Sequence, residues 1–228
     1  MKAPTLKPAW SGLLFDLDGT LVDTAPDLAY ALNLLRQSRG MQQLPESALR
    51  AHASSGARGL LAAGFGMVPD DIDYASMRDE FLIEYEKNLT RNSRLFPGMA
   101  ELLDTIEARK IPWGIVTNKA TRFTVPLLKV LNLWKRAGCV ICGDTTPHAK
   151  PHPAPLLAAA RKIRASPATC LYVGDDLRDV QASRAAGMVV AVARYGYLGG
   201  SPPDSWNADL MIDSPTDLIP VLSAGIAR

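Results

Sequence analysis

Leu13-Leu14-Phe15-Asp16-Leu17-Asp18-Gly19-Thr20 packs an apolar run, two carboxylates and a turn residue into eight positions. Gly12 to Phe15 reads as a buried strand, with Asp16 where it emerges and Gly19 turning the chain at once. Residues i and i+2 of a strand face the same way, so Asp16 and Asp18 converge on one site if the extended form persists. Two carboxylates at the exit of a buried strand are costly unless a cation or hydrogen bonds compensate them. A hard divalent ion such as Mg²⁺ is the natural partner for oxygen ligands at this density. Taken alone, the octapeptide also fits a strand that ends in a polar turn.

The 228 residues suffice for one large domain, or a core with a smaller insert. Nearly half are hydrophobic and the net charge is +2, with Lys and Arg scattered rather than striped. That gives no electrostatic case for nucleic acid. Met1 to Ser11 lacks the apolar stretch and small-residue cleavage site of a secretory signal, and no apolar run reaches the length of a membrane span. Cys139, Cys142 and Cys170 are too few and too embedded in apolar strands for a disulfide framework, so a reducing cytoplasm is expected.

After Thr20 the pattern turns helical for about seventy residues, with expected helices at Pro26–Ser38, Pro45–Ala53, Ala57–Phe65 and Asp71–Arg91 and no strand candidate. Thr24 or Asp27 is the expected cap of the first. From Phe96 onward strands and helices alternate. Strands are expected at Trp113–Thr117, Cys139–Cys142, Thr169–Val173, Val189–Ala193 and Asp209–Ile212. Helices fall between them, one carrying Pro126 in its first turns, and a last helix starts at Leu218. This alternation predicts an α/β fold with a doubly wound, mostly parallel sheet. Ligands bind such sheets beyond the carboxyl ends of the strands. Asp16, Thr117-Asn118, Asp144 and Asp175-Asp176 all stand at that edge. The helical block leaves from the same edge, so it is expected to cover the site. The division predicted is a discontinuous core, 1–22 plus 92–228, with residues 23–91 as an inserted α-helical cap.

These residues form one chemical set. Asp16 attacking a phosphoryl group gives an aspartyl-phosphate, and Asp18 is placed to protonate the leaving oxygen and then deprotonate a water. Mg²⁺ on Asp16 and Asp175 offsets repulsion between phosphate and carboxylates. Thr117 and Lys150 supply a hydroxyl and a cation for the phosphoryl oxygens.

The ordered segments DLDGTLVDT, VTNK, KPHPAPL and VGDDLRD resemble the four motifs of the haloacid dehalogenase superfamily, over essentially the whole chain. The resemblance implies a Mg²⁺-dependent phosphohydrolase on a Rossmann-like core, its cap inserted between motifs one and two. By this likeness Asp16 is nucleophile and metal ligand, and Asp18 is the acid/base that ligates metal through its backbone carbonyl. Thr117 and Lys150 hold the phosphoryl group, Asp175 anchors the metal, and Asp179 braces Lys150 or a metal water. Asp176 sits where the family varies and is placed with Asp179 around the metal's own ligands. DTAPDL, SSGARGL and RYGYLGG are similar to the phosphoglycolate phosphatase group and its relatives, the N-acetylmuramic acid 6-phosphate phosphatases. The implied substrate is a small phosphorylated metabolite, first 2-phosphoglycolate, alternatively N-acetylmuramic acid 6-phosphate or another sugar phosphate, for a monomer or homodimer.

Arg58, Asn118 and Thr20 are the substrate-binding candidates, Arg58 because a guanidinium suits a second anionic group, and Lys119 beside Asn118 is expected to face the substrate too. Phe65, Phe81 and Tyr85 are assigned to the cap's own core. A dehalogenase would lack Asp18, and a phosphonatase would use a cap lysine, where only Lys87 occurs. A receiver domain is about half this length. A phosphomutase of this fold would be expected to use a cap histidine or lysine, and His52 is the only cap histidine.

Overall fold

The computed structural model describes residues 10–199 and 202–224. The leader reading over residues 1–9, Gly200 of the RYGYLGG run and the two outermost ends of the predicted core fall outside them. In chain order the elements are β1 (Gly12–Phe15), β2 (Val22–Asp23), α1 (Ala25–Ser38), α2 (Glu46–Arg50), α3 (Gly56–Phe65) and α4 (Tyr74–Asn88). There follow β3 (Arg94–Leu95), α5 (Met99–Ala108), β4 (Trp113–Val116), α6 (Thr121–Val130) and β5 (Cys139–Ile141). The remainder is α7 (Ala154–Lys162), β6 (Cys170–Gly174), α8 (Leu177–Ala186), β7 (Val189–Ala193), β8 (Leu210–Ile212) and α9 (Leu218–Ala224).

Six strands make one parallel sheet in the order β5-β4-β1-β6-β7-β8. The two-residue period of a strand divides its apolar side chains between two layers. Leu13 and Phe15 pack on the face that holds α5, α6 and the inserted helices, whereas Leu14, Val116 and Tyr172 pack with α7 and α8. Register fixes the working edge. Phe15 stands opposite Ile115 on one side and Val173 on the other, so Asp16, Thr117 and Asp175 emerge together.

The helical block is tied to the sheet by a ribbon the sequence reading missed. β2 and β3 pair antiparallel, Val22 with Leu95 and Asp23 with Arg94, too short to show an alternating pattern. Asp27 is no cap. It is buried and accepts from Asn92 N, Ser93 N and Ser93 Oγ at 2.8, 3.0 and 2.6 Å, clasping the block's exit to its entry. Thr24 does hold the N-cap position of α1, but its hydroxyl donates to Asp18 at 2.5 Å instead of capping. The expected helix from Asp71 begins only at Tyr74, because the Asp71 carboxylate accepts from Val68 N and makes a local turn. Pro126 lies inside α6 without ending it.

Candidate active site

β1 delivers Asp16 to the sheet edge, and Gly19 turns the chain so that Asp18 follows it into the same cavity. Gly19 adopts φ +84°, a left-handed conformation that glycine takes without steric cost. A side chain there, or at Gly196, would collide with Asp175. Two donors aim Asp175: Thr20 Oγ1 to Oδ1 at 3.0 Å and Tyr197 N to Oδ2 at 2.8 Å. Thr20 is fully buried and committed to that bond, so it orients the acid and does not line the cavity.

Asp16, Asp175 and Asp179 each bring a carboxylate oxygen within 4.8 Å of the others, all buried. Lys150 is the cation within this cluster. Its Nζ lies 2.7 Å from Asp179 Oδ1, 2.8 Å from Asp16 Oδ1, 2.8 Å from Tyr172 OH and 3.1 Å from Val116 O. One cation does not neutralise three acids. Burial pushes Asp16 up to about 7 from the ordinary 3.8, against the pull of Lys150. Asp175 is raised well above its ordinary value, by burial first and then by the charges of Asp16 and Asp179. Surplus negative charge on oxygen donors, with a buried Asp16 Oδ1 that accepts no hydrogen bond of good angle, fits a hard divalent cation.

The acids after β6 have separate tasks. Asp179 Oδ2 accepts from Asp176 N at 3.1 Å and Asp176 Oδ1 accepts from Arg178 N at 2.9 Å, a capping box that starts α8. Arg178 also grips the Asp176 carboxylate through Nε and Nη2, both at 2.8 Å, and donates to Ser54 O of the helical block at 2.7 Å. Burial works to raise the Asp176 carboxyl, but Arg178 holds it below its ordinary value.

A cavity of about 360 Å³ lies over this edge. Asp16, Asp18, Thr117, Lys119 and Lys150 form its floor, and Leu28, Ser54, Ser55, Phe81, Leu82 and Tyr85 of the helical block form its roof. Phe81 and Tyr85, expected only in the block's own core, therefore also face the site. Asn118 lines the cavity too, yet its amide is spent on the Lys150 backbone: Nδ2 donates to Lys150 O and Oδ1 accepts from Lys150 N, both at 2.9 Å. It clamps the loop that carries Lys150. Arg58 lies outside this cavity, in an adjoining one of about 230 Å³ with Ser55, Arg178 and Gln181. Asp144, expected at the working edge, accepts from Thr121 N and Oγ1 at 3.0 and 2.5 Å and starts α6 instead. His52 is exposed and outside both cavities, and Lys87 is exposed beside Glu84 at 2.7 Å.

Tyr172, Arg178 and Tyr197 were not singled out by sequence as site residues, whereas Lys119, expected beside Asn118 to face the substrate, does line the cavity. Tyr172 carried a legible signal, a phenol inside an otherwise apolar strand, since a buried hydroxyl needs a partner.

A carboxylate at the exit of β1, a second acid two residues on and a lysine braced by an acid agree with the comparison by sequence. The chain belongs to the haloacid dehalogenase-like hydrolases, whose family pattern matches residues 13–193. Among its relatives, the N-acetylmuramic acid 6-phosphate phosphatase of Pseudomonas putida is 40% identical over 94% of this chain and 96% of that protein. The phosphoglycolate phosphatase of Xanthomonas campestris is 41% identical over 90% of this chain and 93% of its own. A crystal structure of a predicted phosphoglycolate phosphatase from Haemophilus somnus superposes with a TM-score of 0.82 at 28% identity, covering 93% of this chain and 98% of that one. Among the described residues no helix is long and apolar enough to cross a membrane.

Proposed function

We propose that this hydrolase removes the phosphoryl group from a small phosphorylated metabolite through an aspartyl-phosphate on Asp16, with Mg²⁺ as cofactor. It is a phosphoric monoester hydrolase. The observation that carries the mechanism is the placement of Asp16, Asp18, Thr117 and Lys150 on the floor of one cavity. Asp16 attacks phosphorus, the bond from phosphorus to the ester oxygen breaks, and Asp18 gives that oxygen its proton. Asp18 then takes a proton from a water, which attacks the aspartyl-phosphate and releases inorganic phosphate while Asp16 is regenerated. Thr117 and Lys150 hold the equatorial oxygens, Lys150 itself being oriented by Asp179. Asp16, Asp175 and the backbone carbonyl of Asp18 would hold Mg²⁺, which supplies charge neutralisation at the phosphoryl oxygens. Residues 23–91 act as the cap, admitting substrate when raised and excluding water when seated. The site is assembled from one chain, and its three buried free cysteines suit a reducing cytoplasm.

For the substrate, 2-phosphoglycolate is the first reading, supported by the likeness to the Xanthomonas campestris enzyme along 90% of this chain. A second reading, N-acetylmuramic acid 6-phosphate or a similar sugar phosphate, is favoured by the cavity. About 360 Å³ with apolar walls at Leu28, Phe81 and Leu82 exceeds what a two-carbon acid fills, and Arg58 stands outside it. The test is phosphate release with Mg²⁺ from both compounds and a panel of sugar phosphates, with Asp16→Asn as control. A higher kcat/KM for the two-carbon acid upholds the first reading, and a higher one for the sugar acid replaces it with the second. Equal turnover by Asp16→Asn removes the mechanism.

A further inference from the structure

We infer that Lys119 is a positioning residue that couples the proton-transferring carboxylate of Asp18 to the seating of the cap, through the hydroxyl of Tyr85. The inference rests on the reading above but concerns two residues to which that reading gives no task.

Lys119 follows β4 and belongs to the sheet side of the cavity. Its Nζ lies 2.9 Å from Asp18 Oδ1 and 2.6 Å from Tyr85 OH, and its side chain is only 7% exposed. An ammonium withdrawn from water is costly unless acceptors take its protons. Here the acceptors come from opposite sides of the site, Asp18 from the sheet and Tyr85 from α4 of the cap. Burial works to lower the Lys119 ammonium, yet the charge of Asp18 and the Tyr85 hydroxyl outweigh it and leave it raised.

Tyr85 cannot reach Lys119 from an arbitrary cap position. Its ring stacks on Phe81, with centroids 6.3 Å apart and planes 2° from parallel, and tilts against Phe123 at 5.5 Å. Phe81 belongs to the cap, whereas Phe123 belongs to α6 on the sheet. The hydroxyl therefore meets Lys119 only when α4 sits against α6. The second donor to Asp18 is Thr24 Oγ1, and it uses the same oxygen, Oδ1, at 2.5 Å. Both donors hold one oxygen of Asp18 and leave Oδ2 as the one that delivers the proton. With the cap raised, Lys119 loses Tyr85 and its shielding, its flexible stem is released, and Asp18 loses a fixed donor. Proton delivery to the leaving oxygen is thus timed to closure.

The test uses the leaving group. An alkyl phosphate must receive a proton as its alcohol oxygen departs, whereas p-nitrophenyl phosphate expels p-nitrophenolate, which is stable without one. For this mechanism kcat/KM ends at departure of the alcohol, so later hydrolysis of the aspartyl-phosphate does not enter it. Lys119→Met and Tyr85→Phe are each expected to lower kcat/KM for the alkyl phosphate about tenfold more than for the aryl phosphate, within the range that general acid catalysis contributes. The double variant is expected to be little worse than Lys119→Met, since the two side chains act in series. Tyr85→Phe keeps the ring stack and so reports the hydroxyl alone if Lys119→Met folds poorly. Equal losses on both substrates, or Tyr85→Phe indistinguishable from wild type, overturn the inference and leave the phosphatase reading intact. Failure of the wild type on every phosphomonoester would instead overturn that reading.

Discussion

Lys150 Nζ lies 2.7 Å from Asp179 Oδ1, and the two side chains are 2% and 1% exposed. Removing either member of such a pair leaves a buried charge behind, but the two removals are unequal here. Without Lys150, Asp16, Asp175 and Asp179 face one another with no cation among the described residues of the cluster. Without Asp179, Lys150 keeps Asp16 at 2.8 Å. Lys150→Met is therefore expected to destabilise the metal-free protein by about 3–5 kcal/mol, the range for breaking a buried pair. Asp179→Asn should cost clearly less. Urea unfolding without Mg²⁺ checks the order, and the reverse ranking would refute it.

The same surplus of acid sets a pH dependence. Asp16 is raised from 3.8 to about 7, chiefly by burial, and Asp175 is raised as well. Between those values the folded chain keeps protons that the unfolded chain has released. Stability of the metal-free protein should then be highest near the lower value and fall as pH rises through about 7. A bound divalent cation competes with those protons and should flatten the slope, with tighter metal binding as pH rises. Unfolding midpoints from pH 4 to 8, with and without saturating Mg²⁺, measure this. A metal-free protein that grows more stable across the window contradicts it.

The parallel sheet was legible because its strands are short continuous apolar runs that end in polar groups, and β1, β6 and β7 lie within a residue of their expected bounds. Asp16, Asp18 and Asp175 were legible for the same reason, since carboxylates at buried strand ends have few inexpensive explanations. Arg58 and Thr20 were not. Whether an arginine faces one cavity or its neighbour depends on the rotation of α3, and Thr20 sends its only hydroxyl proton to a residue 155 positions away. The contact between Lys119 and Tyr85 escaped for a related reason, as it is a property of how two units dock. Periodicity assigns a face to each residue and says nothing of its partner.

Gly19 has two reasons to be glycine. Its φ of +84° disfavours any side chain, and a Cβ there would strike the Asp175 carboxylate. Gly19→Ala should lose about 1–3 kcal/mol of stability from backbone strain alone. It should also weaken Mg²⁺ binding, because Asp175 must move. Gly40→Ala is the control. That residue has φ +69° but nothing within 4 Å of the added carbon, so it should lose stability without losing metal affinity. Calorimetric Mg²⁺ titration of both variants distinguishes the effects, and equal metal affinity in the two would mean that the contact with Asp175 is unimportant.

Tyr197 joins Asp175 to the root of the helical block. Its backbone N donates to Asp175, while its hydroxyl accepts from Thr24 N at 2.7 Å and Ala25 N at 2.9 Å and lies 3.1 Å from Asp23 Oδ1, to which it donates. Those two amides open α1, where the first helical N–H groups have no partner within the helix. Arg50 covers the ring, its guanidinium 5.2 Å from the ring centre and 3.0 Å from Asp23. Tyr197→Phe keeps the ring and the backbone donor but leaves both amides and Asp23 short of a partner. The expected cost is about 1–3 kcal/mol for the unsatisfied groups. Hydrogen exchange should quicken locally at Thr24 and Ala25, while amides in β1 and β6 stay protected. Uniform acceleration across the sheet would mean that the hydroxyl supports the whole fold; no acceleration at Thr24 and Ala25 would mean that other contacts alone fix the root of the helical block.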